Sequence, residues 1–460
     1  MNDQDTIVAI STPVGYGGIG IVRVSGEQAL ACSERVFRPK RRRSKASSHT
    51  VTYGHVVDFE TGDVVDQALL IVMRAPRSYT AEDVVEISCH GGPVPLSQTL
   101  NLLLRAGARL ASPGEFTKRA FLNGRIDLAQ AEAVCDMIQA KTDASARLAS
   151  QQMEGRLSGK VRSIREELLS LLASIEAGID FPEHDVEELT RSELDGGLRS
   201  VRSEISHLLQ SAVAGRVFRE GVRVSIVGRP NVGKSSLLNA LLGHERAIVT
   251  AVPGTTRDLI EETASIRGIP FVLTDTAGIR DTEDAVERIG VERAQLALGN
   301  ADLTIAVFDA TMELTSDDFE VIQRAHKKPT IVVLNKIDAA SQVTARLELS
   351  EAFGGQDVLE VSALRGTGMD AVIDALFTMA TGDRRIDVES ATVTNIRHQE
   401  CLSRAKRHVE EALVALSEEV PYDLTSIDIR SAVDALGLIT GETAEEDLLD
   451  TIFRRFCIGK

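Results

Sequence analysis

Residues Gly228–Ser235 (GRPNVGKS) have the types and spacing of a phosphate-binding loop. They follow an apolar run, Val222–Val227, and precede a predicted helix, Ser236–Leu242, which is the context that the motif G-x-x-x-x-G-K-[ST] requires. The glycines let backbone N–H groups surround a β-phosphate. Lys234 neutralises phosphate charge, and Ser235 offers a hydroxyl to Mg²⁺. The segment therefore predicts binding of a nucleoside triphosphate with Mg²⁺.

A second motif selects the base. Asn335–Asp338 (NKID) ends an apolar run, and the carboxylate of Asp338 can accept hydrogen bonds from guanine N1–H and its exocyclic amine. Adenine lacks these donors and would leave the acid unpaired, so discrimination can be large. Ser362–Leu364 (SAL) follows the last strand and would lie behind the base. The order of the motifs predicts hydrolysis of GTP.

Two switch-like segments lie between these motifs. Asp275–Gly278 (DTAG) ends a strand, where Asp275 can hold a water on Mg²⁺ and the Gly278 amide can contact the γ-phosphate. Gly254–Asp258 (GTTRD) supplies Thr256 as a second Mg²⁺ ligand in a mobile switch. For the second segment, the alternative is a charged loop without a role.

The residue that orients the attacking water in Ras-like enzymes is missing, because Ile279 stands at its position. Asn231 could instead hold a monovalent cation with the carbonyls of Thr250 and Val252, and that cation would act like an arginine finger. Glu287 could orient water, although a solvated helix position is the simpler interpretation of an isolated Glu. The predicted GTP contacts are Asn231, Val232, Gly233, Lys234, Ser235, Ser236, Thr250, Ala251, Val252, Pro253, Gly254, Thr255, Thr256, Asp275, Thr276, Ala277, Gly278, Asn335, Lys336, Asp338, Ser362, Ala363 and Leu364.

The predicted secondary structure that must position these residues changes in type along the chain. Residues 1–120 are mixed α/β, Leu128–Ala149 and Val161–Ala177 predict long packed helices, and alternating strands and helices begin near Gly221. The turn residues after Thr263–Ile266 suggest a hairpin with one antiparallel edge strand. The predicted fold is multidomain α/β plus all-α, namely an N-terminal α+β domain (1–120) and a helical domain (121–216 and 383–460) interrupted by an inserted P-loop GTPase domain (217–382).

Composition limits the partners. The 460 residues include 51 Lys and Arg against 68 Asp and Glu, a net charge of −17, so bulk attraction to nucleic acid is excluded. A nucleic-acid contact would therefore need a local basic patch. The clearest candidate patch comprises Arg38, Lys40, Arg41, Arg42, Arg43 and Lys45. The alternative is that these residues form a solvated loop without a nucleic-acid partner.

The cysteines and the apolar runs predict a cytoplasmic protein that does not enter a membrane. Five Cys are scattered without a CxxC pair, which argues against a disulfide framework and a zinc site and fits a reducing cytosol. No signal peptide and no run long enough for a bilayer span is evident.

Several further segments resemble those of a known protein family. They are Asp5–Ala9 (DTIVA), Gly17–Gly26, Tyr79–Glu86 (YTAEDVVE), Cys89–Pro93 (CHGGP), Pro113–Glu132 and the C-terminal Phe453–Lys460 (FRRFCIGK). Together with the GTPase motifs, they closely resemble the MnmE (TrmE) family of tRNA wobble-uridine modification GTPases over essentially the whole chain. The Pro113–Glu132 block and the C-terminus are the most specific segments.

The resemblance implies a folate-binding-like N-terminal domain that forms a homodimer and binds a tetrahydrofolate derivative, 5-formyl- or 5,10-methylene-tetrahydrofolate. Matching residues imply that Arg23, Glu86, Arg125 and Lys460 contact folate; position 125 is often Lys in the family, and Arg keeps the charge with a different geometry. They also imply K⁺ ligands (Asn231, Thr250, Val252 and Thr255), Mg²⁺ ligands (Ser235 and Thr256) and catalytic roles for Lys234, Glu287 and Cys457. For Cys457, a free thiol near the chain end is the alternative.

The family works with MnmG, an FAD-dependent partner that uses NADH, in a heterotetramer that acts on tRNA. Together they add an aminomethyl or carboxymethylaminomethyl group to C5 of the wobble uridine. The alternatives are a ribosome-assembly GTPase, which would want an RNA-binding module such as KH, and a regulatory GTPase on a dimer scaffold.

Overall fold

The computed structural model describes residues 5–13, 15–41, 47–180, 191–244, 261–275, 299, 301–339, 344–382 and 393–460. The chain forms two compact units, one of Met1–Cys135 with Leu436–Lys460 and the other of Asp136–Ala435. Both ends of the chain therefore belong to the first unit, and the predicted segment 383–460 is divided between the two. The four predicted domain ranges stay a prediction.

The described residues form thirteen strands and fourteen helices. The strands are β1 (Ile7–Ile10), β2 (Gly17–Ser25), β3 (Phe37–Pro39), β4 (Thr50–Val57), β5 (Val64–Met73), β6 (Val84–Gly91), β7 (Arg109–Leu110), β8 (Val222–Val227), β9 (Glu261–Ile266), β10 (Ile269–Asp275), β11 (Leu303–Asp309), β12 (Thr330–Asn335) and β13 (Val358–Val361). The helices are α1 (Ala29–Val36), α2 (Pro93–Arg105), α3 (Glu115–Leu122), α4 (Leu128–Gln139), α5 (Asp143–Met153), α6 (Arg156–Asp180), α7 (Arg191–Glu220), α8 (Lys234–His244), α9 (Ser316–Ala325), α10 (Thr344–Ala352), α11 (Met369–Thr381), α12 (Ile396–Ser417), α13 (Tyr422–Thr440) and α14 (Glu446–Phe453).

The first unit is built on a seven-stranded sheet with the order β3-β4-β5-β6-β2-β1-β7. Its pairs are antiparallel except β1 with β7, which is parallel. In β5 the side chains of Ala68, Leu70 and Val72 are buried, whereas Gln67 and Leu69 are exposed. This period of two shows that one face packs on the core with α1 and α2, and the other face is open.

The second unit contains a six-stranded sheet with the order β13-β12-β11-β8-β10-β9. All its pairs are parallel except β9 with β10, so the predicted antiparallel edge hairpin is confirmed. Every residue of β11 and β12 is buried, as expected for central strands of a parallel sheet that is covered on both faces. The phosphate loop and the guanine motif both follow strands of this sheet.

The predicted single helix Leu128–Ala149 is wrong, because the structure divides it into α4 and α5. Thr142 has an extended backbone, and its hydroxyl accepts a hydrogen bond from Ser145 N at 3.1 Å, which begins α5 with an N-cap. Apolar spacing continues across the break and therefore conceals it. The other long predicted helix, Val161–Ala177, is confirmed within α6. Among the described residues, no helix combines the length and the apolar character needed to cross a membrane.

The C-terminal segment contacts α3 closely at Gly114. This residue has φ +69°, and a Cβ there would lie 2.5 Å from the carbonyl oxygen of Phe453. Gly124 has the same φ, +69°, but open space where a Cβ would be. Substitutions at Gly114 and Gly124 therefore distinguish the cost of a left-handed backbone, which both share, from the cost of a close contact, which only Gly114 has.

We expect Gly114→Ala to lower the midpoint of thermal unfolding by several degrees more than Gly124→Ala. Both changes introduce a strained left-handed alanine, at roughly 1 kcal/mol, but only the first also displaces the C-terminal segment, at about 1–3 kcal/mol. Thermal melts of the two full-length variants measure the difference. Equal midpoints would show that the contact with Phe453 contributes nothing to stability.

Candidate functional sites

The loop between β8 and α8 folds back on its own lysine. Lys234 is 6% exposed, and its Nζ donates hydrogen bonds to the carbonyl oxygens of Gly228 at 2.8 Å and Arg229 at 2.7 Å. Ser235 and Ser236 follow in the first turn of α8 and are exposed. The loop thus places an ammonium group and a helix N-terminus together, which is the arrangement that binds phosphate anions.

The phosphate loop and the guanine motif approach each other closely because Gly233 has no side chain. Gly233 has φ +98°, and a Cβ there would lie 2.3 Å from the amide nitrogen of Asn335. That amide donates to the carbonyl of Val232 at 2.9 Å, and its oxygen accepts from the Ala363 N–H at 3.0 Å. One buried side chain therefore joins the phosphate loop, the guanine motif and the Ser362–Leu364 segment.

Lys336 adds a second connection between the same loops. Its Nζ donates to the carbonyl of Asn231 and to Asp309 Oδ2, both at 2.6 Å. Asn231 and Lys336 have φ +65° and +66°, which is strained for residues with a Cβ. Burial would raise the pKa of Asp309, but the hydrogen bonds from Lys336 and Thr311 lower it overall, so this carboxylate stays charged.

Asp338 lies at the rim of this site. Its Oδ1 accepts a hydrogen bond from the Ser362 hydroxyl at 2.7 Å, and Arg365 Nε lies 3.4 Å from its Oδ2. The hydrogen bond from Ser362 holds the pKa of Asp338 below its usual range. An ionised carboxylate fixed in this way can accept two N–H bonds from a base edge, while Leu364 is exposed beside it.

Part of the predicted nucleotide site lies outside the described residues. This holds for Thr250, Ala251, Val252, Pro253, Gly254, Thr255, Thr256, Thr276, Ala277, Gly278 and Glu287. The backbone of Asp275 ends β10, next to β8 in the sheet. The roles of these residues in Mg²⁺, K⁺ and water binding stay predictions.

A second group of charged residues converges in the first unit. Arg23 on β2 and Glu86 on β6 are register partners and form an ion pair at 2.8 Å. The Arg23 guanidinium lies 5.3 Å from the centre of the Tyr79 ring, and the Arg125 guanidinium lies 5.1 Å from that centre. Arg125 also donates to the Tyr79 carbonyl at 2.7 Å. Both arginines therefore lie over the ring of the same tyrosine.

The last residues of the chain complete this group. The carbonyl of Gly459 accepts hydrogen bonds from Arg23 Nη1 at 3.3 Å and from the Ser11 hydroxyl at 3.2 Å. Burial lowers the pKa of the Lys460 side chain, and the nearby charge of Arg23 lowers it further, whereas Glu86 acts in the opposite direction. Arg23, Glu86, Arg125 and Lys460 are thus brought together from distant parts of the sequence.

The structure also places residues whose part the sequence did not reveal. Tyr79 stands in the family-like YTAEDVVE segment, but nothing in its spacing predicts a ring in contact with two arginines. Burial raises the pKa of Tyr79, whose hydroxyl is 2.9 Å from that of Thr117. Asp309 is the last residue of β11 and belongs to no motif that the sequence analysis identified. Cys457 is exposed, and its carbonyl accepts a hydrogen bond from the Gly114 N–H at 3.4 Å.

Comparisons with known proteins agree over the whole chain. The family model "MnmE helical domain" matches residues 128–457, and the model "GTP-binding protein TrmE N-terminus" matches residues 6–125. The tRNA modification GTPase MnmE of Desulforamulus reducens is 48% identical over 459 residues, covering 99% of this chain and 100% of that protein. The protein of the same name from Acetivibrio thermocellus is 46% identical over 460 residues, covering 100% of both.

Solved structures match part of the chain. The G domain of the T. maritima FeoB iron transporter is 27% identical, covers 35% of this chain and 98% of that chain, and has a TM-score of 0.27.

We expect Asp338→Asn to weaken GTP binding by about a hundredfold or more and to favour xanthosine triphosphate. The amide cannot accept both guanine N–H bonds, whereas it can donate to the xanthine carbonyl. Titration of each nucleotide into the full-length protein measures the two affinities. Asp370→Asn, an exposed carboxylate on α11, is the matched control. An unchanged preference for GTP would remove Asp338 from base recognition.

Proposed function

The chain belongs to the MnmE family of tRNA modification GTPases, and on that premise we propose the chemistry that its two sites perform. The enzyme is a GTP hydrolase that acts in tRNA modification. Its proposed reaction adds an aminomethyl or carboxymethylaminomethyl group to C5 of the tRNA wobble uridine. A tetrahydrofolate derivative donates the carbon, and K⁺ activates GTP hydrolysis.

The convergence around Tyr79 carries the one-carbon part of this proposal. Two arginines, a lysine and a glutamate lie together in the first unit, and the arginines face one ring. A folate combines an aromatic pterin, paired N–H donors and carboxylates, so it needs the same complementary groups. The described residues therefore fit such a ligand. In this assignment Glu86 accepts hydrogen bonds from the pterin, while Arg23, Arg125 and Lys460 bind negatively charged or carbonyl oxygens.

Bound tetrahydrofolate would supply a carbon at the oxidation level of formaldehyde or formate. The protein's own contribution is orientation, because the ion pair with Glu86 and the Gly459 carbonyl restrict the Arg23 guanidinium. Tyr79 keeps its proton, since burial raises its pKa. A role for Cys457 as a nucleophile stays a prediction, which its exposed position permits.

The second unit supplies the GTPase part. Lys234 and the loop amides fit the β- and γ-phosphates, and the exposed Ser235 hydroxyl fits Mg²⁺. Asn231 is exposed at the turn of the loop, where its amide oxygen could bind K⁺. Thr250, Val252 and Thr255 complete the proposed K⁺ site, and Thr256 and Glu287 complete the Mg²⁺ site and the water-positioning group.

The proposed partners follow from the same family. They are a second copy of the chain, an FAD-dependent MnmG-type protein in a heterotetramer, and tRNA, with action in the cytoplasm. A ribosome-assembly or regulatory GTPase gives no reason for Arg23, Glu86, Arg125 and Lys460 to converge. The one-carbon enzyme is therefore the better supported of the alternatives.

We expect the full-length protein to bind 5-formyltetrahydrofolate saturably and Arg125→Ala to weaken that binding about tenfold. Arg125 is exposed, so its loss removes a charged contact without disturbing the core. Isothermal titration measures both affinities. The full chain is required, because Lys460 comes from its end. Arg105→Ala, another exposed arginine of the first unit that ion-pairs with Asp58, should bind normally. Absence of saturable binding by the unaltered protein would refute the folate assignment.

We expect GTP hydrolysis to be at least about tenfold faster in KCl than in NaCl at matched ionic strength. A cation held by Asn231 would stabilise the transition-state charge, and Na⁺ is too small for the same ligands. Glu287→Ala should keep GTP affinity but lose most turnover in KCl. Steady-state phosphate release and nucleotide titration separate the two effects. Equal rates in both salts would eliminate the K⁺ mechanism, and near-normal turnover of Glu287→Ala would remove that residue from catalysis.

A further inference from the structure

Three exposed cations at the edge of the first unit's sheet lack acidic partners. Arg38 lies on β3, and Lys40 and Arg41 follow it. Within the part of the chain that the structure describes, none of the three forms an ion pair, although other arginines of this unit, such as Arg105 and Arg109, each pair with two carboxylates. What distinguishes these cations is their spacing, because three of them lie within four residues at one sheet edge of a chain whose net charge is −17.

The strand register brings aromatic rings to the same face as these cations. Arg38 is the register partner of His55, and the backbone N–H of Lys40 donates to the Tyr53 carbonyl at 3.1 Å. The Lys40 ammonium lies 5.4 Å from the centre of the Tyr53 ring, and the Tyr53 and His55 ring centres are 6.1 Å apart. Alternate residues of neighbouring strands thus present two cations and two rings together.

Such a surface suits single-stranded RNA. Cations bind phosphates without regard to sequence, and an aromatic ring provides a face on which an unpaired base stacks. Tyr53 is 43% exposed and Leu69, its register partner on β5, is 42% exposed, so the ring is open to a ligand. A bare phosphate site would not need the rings, and a protein partner's acidic patch would not either.

The same face of the sheet also carries the proposed one-carbon site. Leu69 pairs with Ser88, Ile71 pairs with Glu86, and Glu86 pairs with Arg23, so these side chains continue the face of Tyr53. Four strand spacings separate β3 from β2 in the sheet order, which amounts to about 19 Å. An RNA loop held at the β3 edge could therefore extend across the open face toward Arg23.

We propose that Arg38, Lys40, Arg41, Tyr53 and His55, here called the β3 edge patch, form a docking surface for an unpaired loop of the tRNA substrate. This inference rests on the proposed function, which makes tRNA the substrate. The cations bind the phosphates that flank the loop, and a base stacks on Tyr53. The anchored loop then presents its target base to the site around Arg23 and Glu86.

The test compares tRNA affinity and its salt dependence in full-length variants. The probe is an unmodified tRNA transcript with uridine at the wobble position, titrated at several KCl concentrations. The triple variant Arg38→Gln, Lys40→Gln, Arg41→Gln should bind at least about tenfold more weakly, and its slope of log K against log salt should fall by about two to three. Tyr53→Leu should weaken binding without changing that slope, because stacking releases no counterions.

A charge-matched control separates the patch from net charge. Lys141→Gln, Lys160→Gln, Lys327→Gln removes three exposed cations of the second unit and should leave affinity and slope unchanged. Folate binding by each variant checks that the first unit is folded. A triple patch variant that binds folate and keeps wild-type affinity and slope for tRNA would overturn the inference and leave the proposed function standing. Failure of the unaltered protein to bind either tRNA or folate would overturn both.

Discussion

The Arg23 guanidinium is the point on which the first unit's site depends. It pairs with Glu86 across the sheet, lies against the Tyr79 ring and donates to the carbonyl of Gly459, next to the last residue of the chain. A half-buried guanidinium without these partners would be costly, so each partner restricts the others. Lys460 is placed by its neighbour Gly459, which accepts the hydrogen bond from Arg23 and also lies close to β1. Gly459 has φ +94°, and a Cβ there would lie 2.4 Å from the Ile10 carbonyl oxygen.

The nucleotide site has a comparable centre in the Asn335 side chain. Its amide donates to a carbonyl of the phosphate loop and accepts from an N–H of the segment after β13, so the loops predicted to contact phosphate and base are held in one arrangement. The left-handed backbones of Asn231 and Lys336 show that this arrangement is strained, and the Lys336 contacts hold it. The phosphate loop and the guanine motif therefore share one small set of hydrogen bonds.

Positive charge is concentrated at the two candidate sites. Although the chain is strongly acidic, each site presents cations where an anionic ligand would bind, and carboxylates such as Asp309 and Glu86 orient those cations. The sequence could identify Lys234 and Asp338 as site residues, because each belongs to a short motif that directly follows an apolar strand. It could not locate Asp309 or Tyr79 as members of a site, since their roles come from partners distant in the chain.

The sequence alone determined the order of the GTPase motifs, the parallel α/β texture that positions them and the antiparallel edge hairpin, because these depend on short-range spacing and on alternation of apolar residues. It also determined the family, through motifs spread over the whole chain. Only the tertiary structure decided that α4 and α5 are separate helices and that both chain ends share one unit. The family resemblance had already grouped Arg23, Arg125 and Lys460 around one ligand, but the place of the Tyr79 ring against both arginines was a tertiary outcome, because register, ring position and close approach at glycine are set by long-range packing.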